Sequence, residues 1–319
     1  MIRLLHFLIA IAVLFSTADN LHAQKKKKKI SQKTSTASLI HKSPPPPIVN
    51  FDSAGRPILE CRSAILFDAR TGRVLFRKNE NEIMPVASTQ KLLTALLVAE
   101  RGNLDGFVVI QPEDTLAEPT KLGLRPGERY TRRQLLNALL IRSANDVALA
   151  LARDHSGSIE AFAQAMNRRI RQLGGTVSNF VNPNGLPDER QFSTAREMAL
   201  VARAAYFNRD LRPIMATREY IFRRNNGSEI FLTNTNRVLR SMPECNGMKT
   251  GYTIASGHCL ISSAQRNGRH VIAIVLGSNK RRVWPESQAL LEYGLERASA
   301  PAPAPTSSLP SLNILNKNT

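Results

Sequence analysis

Two spacings of apolar residues divide this chain. Ala64–Phe67 and Val74–Phe76 are short apolar runs on either side of Thr71-Gly72, the pattern of a β-hairpin. Further on, apolar positions recur every three or four residues and predict helices over 88–101, 131–142, 146–153, 159–173 and 194–206. Thr194 and Glu197 have capping-box spacing at the start of the last of these. Segments 229–232, 259–262 and 270–276 then read as strands, the last two joined through Asn267-Gly268, and 285–297 reads as a closing helix. Strands at both ends with helices between them predict an α+β sandwich. Its centre is an antiparallel sheet in which N- and C-terminal strands pair, flanked by helices and joined to an all-helical lobe.

The two ends of the chain do not share these patterns. Met1-Ile2-Arg3, the apolar run Leu4–Phe15 and Leu21-His22-Ala23 form a secretory signal pattern over 1–23. The run is short for a membrane span of about 20 residues. Residues 24–57 carry Lys25–Lys29, Ser/Thr-rich sequence and Pro44–Pro47, a composition that builds no core and predicts a disordered or extended linker. Residues 299–319 read as an Ala-Pro linker with a short tail that lacks a basic amphipathic face. Between them, 58–298 form one folded unit.

Charge adds a partner class. With 44 Lys and Arg against 25 Asp and Glu, the net charge is +19. Lys25–Lys29 suit an anionic polymer or a membrane surface, and export argues against nucleic acid. The cysteines, Cys61, Cys245 and Cys259, are odd in number and define no disulfide framework. Cys245 and Cys259 could bridge or could be two separately buried thiols.

Candidate chemistry begins at Ser88-Thr89-Gln90-Lys91, where an apolar helix starts. Residues three apart share a helix face, so Lys91 can reach the Ser88 hydroxyl, a nucleophile with a base beside it. Helix capping explains such a tetrapeptide equally well when it stands alone. Two later elements change that. Ser143-Ala144-Asn145 sits at a turn between predicted helices, and Lys249-Thr250-Gly251 precedes a β-type segment. Each is an ordinary turn in isolation; their order and separations match the serine acyl-transferase triplet. His155, His258 and His270 lack metal-ligand spacing and read as structural or surface residues.

From these residues the chain resembles the low-molecular-weight penicillin-binding proteins of the D-alanyl-D-alanine carboxypeptidase group. Pro85–Leu97, Asn182–Pro187, Phe192–Ala199 and Gly247–Thr253 look like that group's segments in its order, and the resemblance covers roughly 58–297. It implies the β-lactamase/transpeptidase-like form of the predicted fold, with the cleft between the lobes. It also implies a serine peptidase that removes the terminal D-alanine of peptidoglycan stem peptides through an acyl-enzyme, with no cofactor and no metal. On this reading Ser88 attacks, Lys91 takes its proton, and Ser143 bridges the two lysines and relays a proton to the leaving amine. Asn145 holds the substrate amide, while Lys249 and Thr250 receive the terminal carboxylate. The backbone N–H groups of Ser88 and Tyr252 form the oxyanion hole.

The same residues bear on rival readings. Between Gly174 and Gly185 there is no acid to deacylate as in class A β-lactamases, so β-lactams are expected as covalent inhibitors. The second, β-rich domain and amphipathic anchor of many relatives are expected to be missing, which opens a DD-endopeptidase of cross-links as the alternative. A β-lactamase-type hydrolase and a non-catalytic wall-binding module are more distant rivals. Gln90 stands where relatives more often have threonine.

Overall fold

The computed structural model describes residues 48–299. The expected signal segment 1–23, the linker residues up to 47 and the tail from 300 onward lie outside the described residues. In chain order, β1 (Ser63–Asp68) and β2 (Val74–Lys78) form the expected hairpin, and a 3-10 turn, Ala87–Gln90, leads into α1 (Lys91–Arg101). The small ribbon β3 (Phe107–Val109) and β4 (Arg129–Thr131) precedes α2 (Arg132–Arg142), α3 (Asn145–Ser156), α4 (Ile159–Gln172), α5 (Ala195–Phe207) and α6 (Leu211–Ala216). A second ribbon, β5 (Glu219–Arg223) and β6 (Glu229–Thr233), and the short α7 (Val238–Ser241) come next. Three long strands, β7 (Cys245–Thr253), β8 (Gly257–Arg266) and β9 (Arg269–Ser278), then lead to α8 (Val283–Arg297).

The main sheet has the order β2-β1-β9-β8-β7, and the predicted pairing of chain ends is β1 against β9, with Ile65 opposite Ile274. Side chains alternate across a strand. On one face Ala64, Leu66, Val271, Ala273 and Val275 pack with Leu290, Leu291 and Leu295 of α8. On the other, Ile65, Phe67, Ile272, Ile274 and Leu276 join Leu92, Leu96, Met198 and Val201 of α1 and α5. Both faces of β9 are covered, which is why its sequence is a continuous apolar run rather than an alternating one. Gly294 lets α8 lie close on the sheet, since a Cβ there would stand 3.0 Å from Leu66.

Local signals explain most helix starts. Thr131 and Gln134 make a complete capping box on α2, with Gln134 N donating to Thr131 Oγ1 (3.1 Å) and Thr131 N to Gln134 Oε1 (2.9 Å). At α5 the anticipated box is only half made. Thr194 accepts from Glu197 N at 3.1 Å, but the Glu197 carboxylate turns to accept from the N–H groups of Thr176, Val177 and Ser178 at 2.7–2.8 Å. Burial opposes ionisation there, yet the Ser178 hydroxyl and these N–H groups hold the Glu197 carboxyl below its usual range. The acid under this loop is therefore structural, supplied from α5.

Two expectations are revised. The linker was drawn to residue 57, but 48–57 folds against the main unit: Val49 is buried, Phe51 bridges to Pro57 and Ile58 N donates to Asn50 O at 2.8 Å. A Lys/Pro-rich composition ends at residue 47, and the ordered part carries its own apolar anchor. A Cys245–Cys259 bridge is ruled out by register. Cys259 faces Gly251 while Cys245 faces Ala264, which separates them by about 20 Å along β7, far beyond disulfide reach. All three thiols are free and buried. Among the described residues, no helix is long and apolar enough to cross a membrane.

Candidate active site

Ser88 sits in the 3-10 turn rather than in α1 itself. Its neighbour Ala87 holds a left-handed backbone with φ of 49°, which is strained for a residue with a Cβ and typical of functional turns. Two glycines press on this turn. Gly251 of β7 comes so near that a Cβ would lie 3.0 Å from Ser88 N and 2.9 Å from Thr89 N. Gly185, with φ of 82°, leaves no room for a Cβ against Ala87 O and Ser88 N. The strand and the 182–187 loop can therefore close on the serine only with glycine at both points.

Lys91 opens α1 and is fully buried. Its Nζ lies 2.8 Å from Ser88 Oγ, 2.7 Å from Asn145 Oδ1 and 2.6 Å from Asn184 O. Burial pushes the amine well below the ordinary lysine value; the nearby Lys249 adds to this, and Asp146 opposes it. A neutral amine has two N–H groups and one lone pair. Asn145 Oδ1 and Asn184 O can only accept, so in the neutral form the N–H groups go to them and the lone pair is left for Ser88, whose hydroxyl reaches it by turning from Asn184 O, 3.2 Å away.

Lys249 is likewise buried, and burial pulls it down to about 7. Its Nζ donates to Ser143 Oγ and to Thr250 O, both at 2.8 Å. Ser143 ends α2 in the left-handed conformation, φ 70°, before Asn145 begins α3. This sharp join between helices is what delivers both side chains to one spot. Thr250 Oγ1 shares a 2.7 Å hydrogen bond with Thr235 Oγ1, and Tyr252 stands exposed at the cleft lip, its ring 4.4 Å from that of His258.

Ser88, Lys91, Ser143, Asn145, Lys249 and Thr250 are thus gathered at one place, with two differences from the expected arrangement. Ser143 bonds to Lys249 alone; Lys91 donates to Asn145 Oδ1 and Asn184 O and makes no bond to Ser143. Asn145 also spends one of its two amide N–H groups, since its Nδ2 donates to Glu118 O at 3.2 Å, while its Oδ1 orients the Lys91 amine. Asp146 supports this from behind by accepting from the N–H groups of Leu122, Gly123 and Leu124 at 2.8–3.1 Å.

Two contributors were missed, and a third, Gln90, was singled out without a role. Asn184 acts through its main-chain carbonyl, which no side-chain motif reveals. Thr235 lies in a polar stretch between β6 and α7 whose proximity to β7 is purely tertiary. Gln90 reaches Asn182 O at 2.6 Å and Gln191 Oε1 at 3.2 Å, bracing the loop that carries Asn184. A threonine is too short to span that gap. His155 and His270 serve as structural partners of Ser156 and Tyr206.

A cavity of about 340 Å³ adjoins Ser88, lined by Pro85, Val86, Ala87, Gly185–Glu189, Gln191, Thr253 and Ala255. A larger groove, about 540 Å³, runs along β2 and shares no residue with this site.

The sandwich with its helical lobe and the hydroxyl–amine cluster between them define a serine acyl-transfer hydrolase. A profile of the D-alanyl-D-alanine carboxypeptidase family matches residues 51–280. The chain belongs to this family of serine peptidases. It is 34% identical over 225 residues to the D-alanyl-D-alanine carboxypeptidase DacF of Bacillus subtilis, covering 69% of this chain and 58% of that protein. It is 32% identical over 250 residues to a D-alanyl-D-alanine endopeptidase of Pseudomonas aeruginosa, covering 76% of this chain and 78% of the relative. The crystal structure of a D-alanyl-D-alanine carboxypeptidase from Mycobacterium tuberculosis H37Rv superposes with a TM-score of 0.73 at 32% identity, covering 79% of this chain and 99% of the other.

Proposed function

We propose that this protein is an exported serine carboxypeptidase that removes the terminal D-alanine from peptidoglycan stem peptides. The carrying observation is the 2.8 Å contact between Lys91 Nζ and Ser88 Oγ, with the other two positions of the amine already committed. Ser88 Oγ attacks the carbonyl between the two D-alanines as its proton passes to the Lys91 lone pair. The C–N bond breaks as the proton held on Lys91 passes by way of the Ser143 hydroxyl to the leaving amine, so D-alanine departs and Lys91 is neutral again. Water then attacks the Ser88 ester as its proton passes to Lys91, and Lys91 returns that proton to Ser88 Oγ as the acyl C–O bond breaks, restoring the free serine and the neutral amine. The N–H groups of Ser88 and Tyr252 receive the oxyanion in both halves.

Lys249 has two tasks in this scheme. A carboxylate arriving at Lys249 and Thr250 favours the charged form of that amine. The recharged Lys249 in turn disfavours charge on Lys91, so binding the correct chain end readies the base. Replacing Lys249 by glutamine should lower kcat/KM by about 100-fold. It should also move the acidic limb of the pH profile upward, because the neighbouring cation that depresses Lys91 is gone. An unmoved limb would remove Lys249 from control of the base.

No carboxylate is available at the 174–185 loop to activate a deacylating water, since Glu197 is spent on backbone N–H groups. β-Lactams should therefore acylate Ser88 and leave slowly. Lys25–Lys29 support attraction to an anionic wall polymer or membrane surface.

Similarity to the Pseudomonas endopeptidase over 78% of its length supports a second reading, cleavage of the D-alanyl cross-link. Release of D-alanine from a monomeric pentapeptide, measured beside cleavage of a cross-linked dimer, separates the two. The carboxypeptidase reading expects turnover of the monomer; cleavage of the dimer alone would replace it with the endopeptidase.

A further inference from the structure

Three consecutive main-chain carbonyls of the 182–187 loop are gripped from one side. Asn182 O accepts from Gln90 Nε2, Pro183 O from Thr94 Oγ1 and Asn184 O from Lys91 Nζ, each at 2.6 Å. Gln90 and Thr94 stand four residues apart and so share one helix face, with Lys91 beside Gln90 at the start of α1. Both neutral donors are fully buried. Only the third contact takes part in the acid–base chemistry. The other two hold the same stretch of chain, and Pro183 has no N–H by which it could be held instead.

The Gln90 amide is oriented by its donor side. Its Nε2 faces Asn182 O and Gln191 Oε1, at 2.6 and 3.2 Å, while its own Oε1 is buried without a partner among the described residues. Turning the amide over would set oxygen against oxygen at both contacts. Gln191 cannot turn to relieve this, because its Oε1 accepts from Val181 N and Asn182 N, both at 3.1 Å, and its Nε2 donates to Leu186 O at 2.8 Å. A buried oxygen left unpaired costs about 1–3 kcal/mol; the grip on Asn182 O outweighs it.

What the grip places is Asn184 O. Lys91 Nζ donates to that oxygen at 2.6 Å, and Ser88 Oγ lies 3.2 Å from it. It fixes one of the two N–H groups of neutral Lys91, and with it the direction of the lone pair, and it is the acceptor from which the Ser88 hydroxyl turns. Moving Asn184 O therefore puts base and nucleophile out of line together. We propose that Gln90 and Thr94 are positioning residues of the acylation step, holding Asn182 O and Pro183 O so that Asn184 O keeps the Lys91 lone pair on Ser88. This rests on the reading of Lys91 as the base and deepens it.

The test follows the rate at which a fluorescent penicillin acylates Ser88, and D-alanine release from a stem pentapeptide, each divided by the number of sites that label at completion. Thr94→Val removes one donor at nearly constant shape, and Gln90→Met removes the other at similar volume. Each should slow both rates per site by about 10- to 100-fold. The loss should fall on the maximal acylation rate, while the penicillin concentration that gives half of it changes by less than about twofold. Gln90→Thr, too short to reach Asn182 O, should behave like Gln90→Met. Thr94→Ser keeps the hydroxyl and should recover to within about threefold of the unaltered enzyme.

A merely structural grip would lower the melting temperature and the number of labelled sites but leave the rate per site unchanged. That result, or slowing in Thr94→Ser as large as in Thr94→Val, would overturn the proposal and leave the peptidase standing, since the unaltered protein would still label and release D-alanine. An unaltered protein that neither labels nor releases D-alanine would overturn both.

Discussion

Lys91→Met should reduce acylation of Ser88 on the order of 10³-fold or more, and it should also change how stability depends on pH. The activity loss follows from geometry: methionine fills a similar volume but offers no lone pair to the Ser88 proton. The stability effect follows from linkage. The folded-state pKa of Lys91 lies well below its ordinary value, so across that interval the unfolded chain binds a proton that the folded chain does not. Stability of the unaltered protein therefore rises with pH from the depressed folded value up to the ordinary lysine value. The slope is at most about 1.4 kcal/mol per pH unit for this one group. Methionine has no proton to bind in either state. Melting temperatures at pH 7 and pH 9 should show the unaltered protein gaining on the variant; a parallel response would mean that Lys91 is charged in the fold.

Ser88→Ala should abolish D-alanine release, by roughly 10⁴-fold or more, while leaving the stem peptide able to bind. Ser88 Oγ contributes one hydrogen bond to Asn184 O at 3.2 Å and one contact with Lys91, and Asn184 O keeps Lys91 as a donor without it. The fold should therefore survive, with a cost near 1 kcal/mol. Product release followed by chromatography, together with a melting curve, separates a lost nucleophile from a lost fold. Residual turnover within tenfold of normal would place the nucleophile elsewhere.

Much of this site could be read from the chain because each motif coincides with a local structural break. Ser88 and Lys91 straddle the passage from the 3-10 turn into α1, Ser143 and Asn145 straddle the join of α2 and α3, and Lys249 to Gly251 lie on a strand edge. Periodicity also placed the main helices and both central strands, since α1, α5, β8 and β9 bury enough apolar surface to print their spacing on the sequence. Other parts left no such print. β7 has the composition of a turn and becomes a strand through pairing with β8. The ribbon β3–β4 and strand β5 expose one face, with Phe107 and Ile221 outward, so no clean alternation marks them, whereas β6 was anticipated at 229–232. Asn184 contributes a main-chain oxygen, and Thr235 meets Thr250 only through tertiary folding. Glu197 looked like a helix cap because the spacing is right, but three unpaired N–H groups in the neighbouring loop are better donors for a carboxylate than the single N–H of a cap.

The central claim is that Ser88, activated by Lys91, forms the acyl-enzyme. Incubation of the protein with a fluorescent penicillin, followed by proteolysis and mass mapping of the adduct, tests it most directly. The account predicts one covalent adduct on the peptide containing Ser88, absent from Ser88→Ala and much slower to form in Lys91→Met. No adduct, or an adduct on another residue that persists in Ser88→Ala, would contradict it.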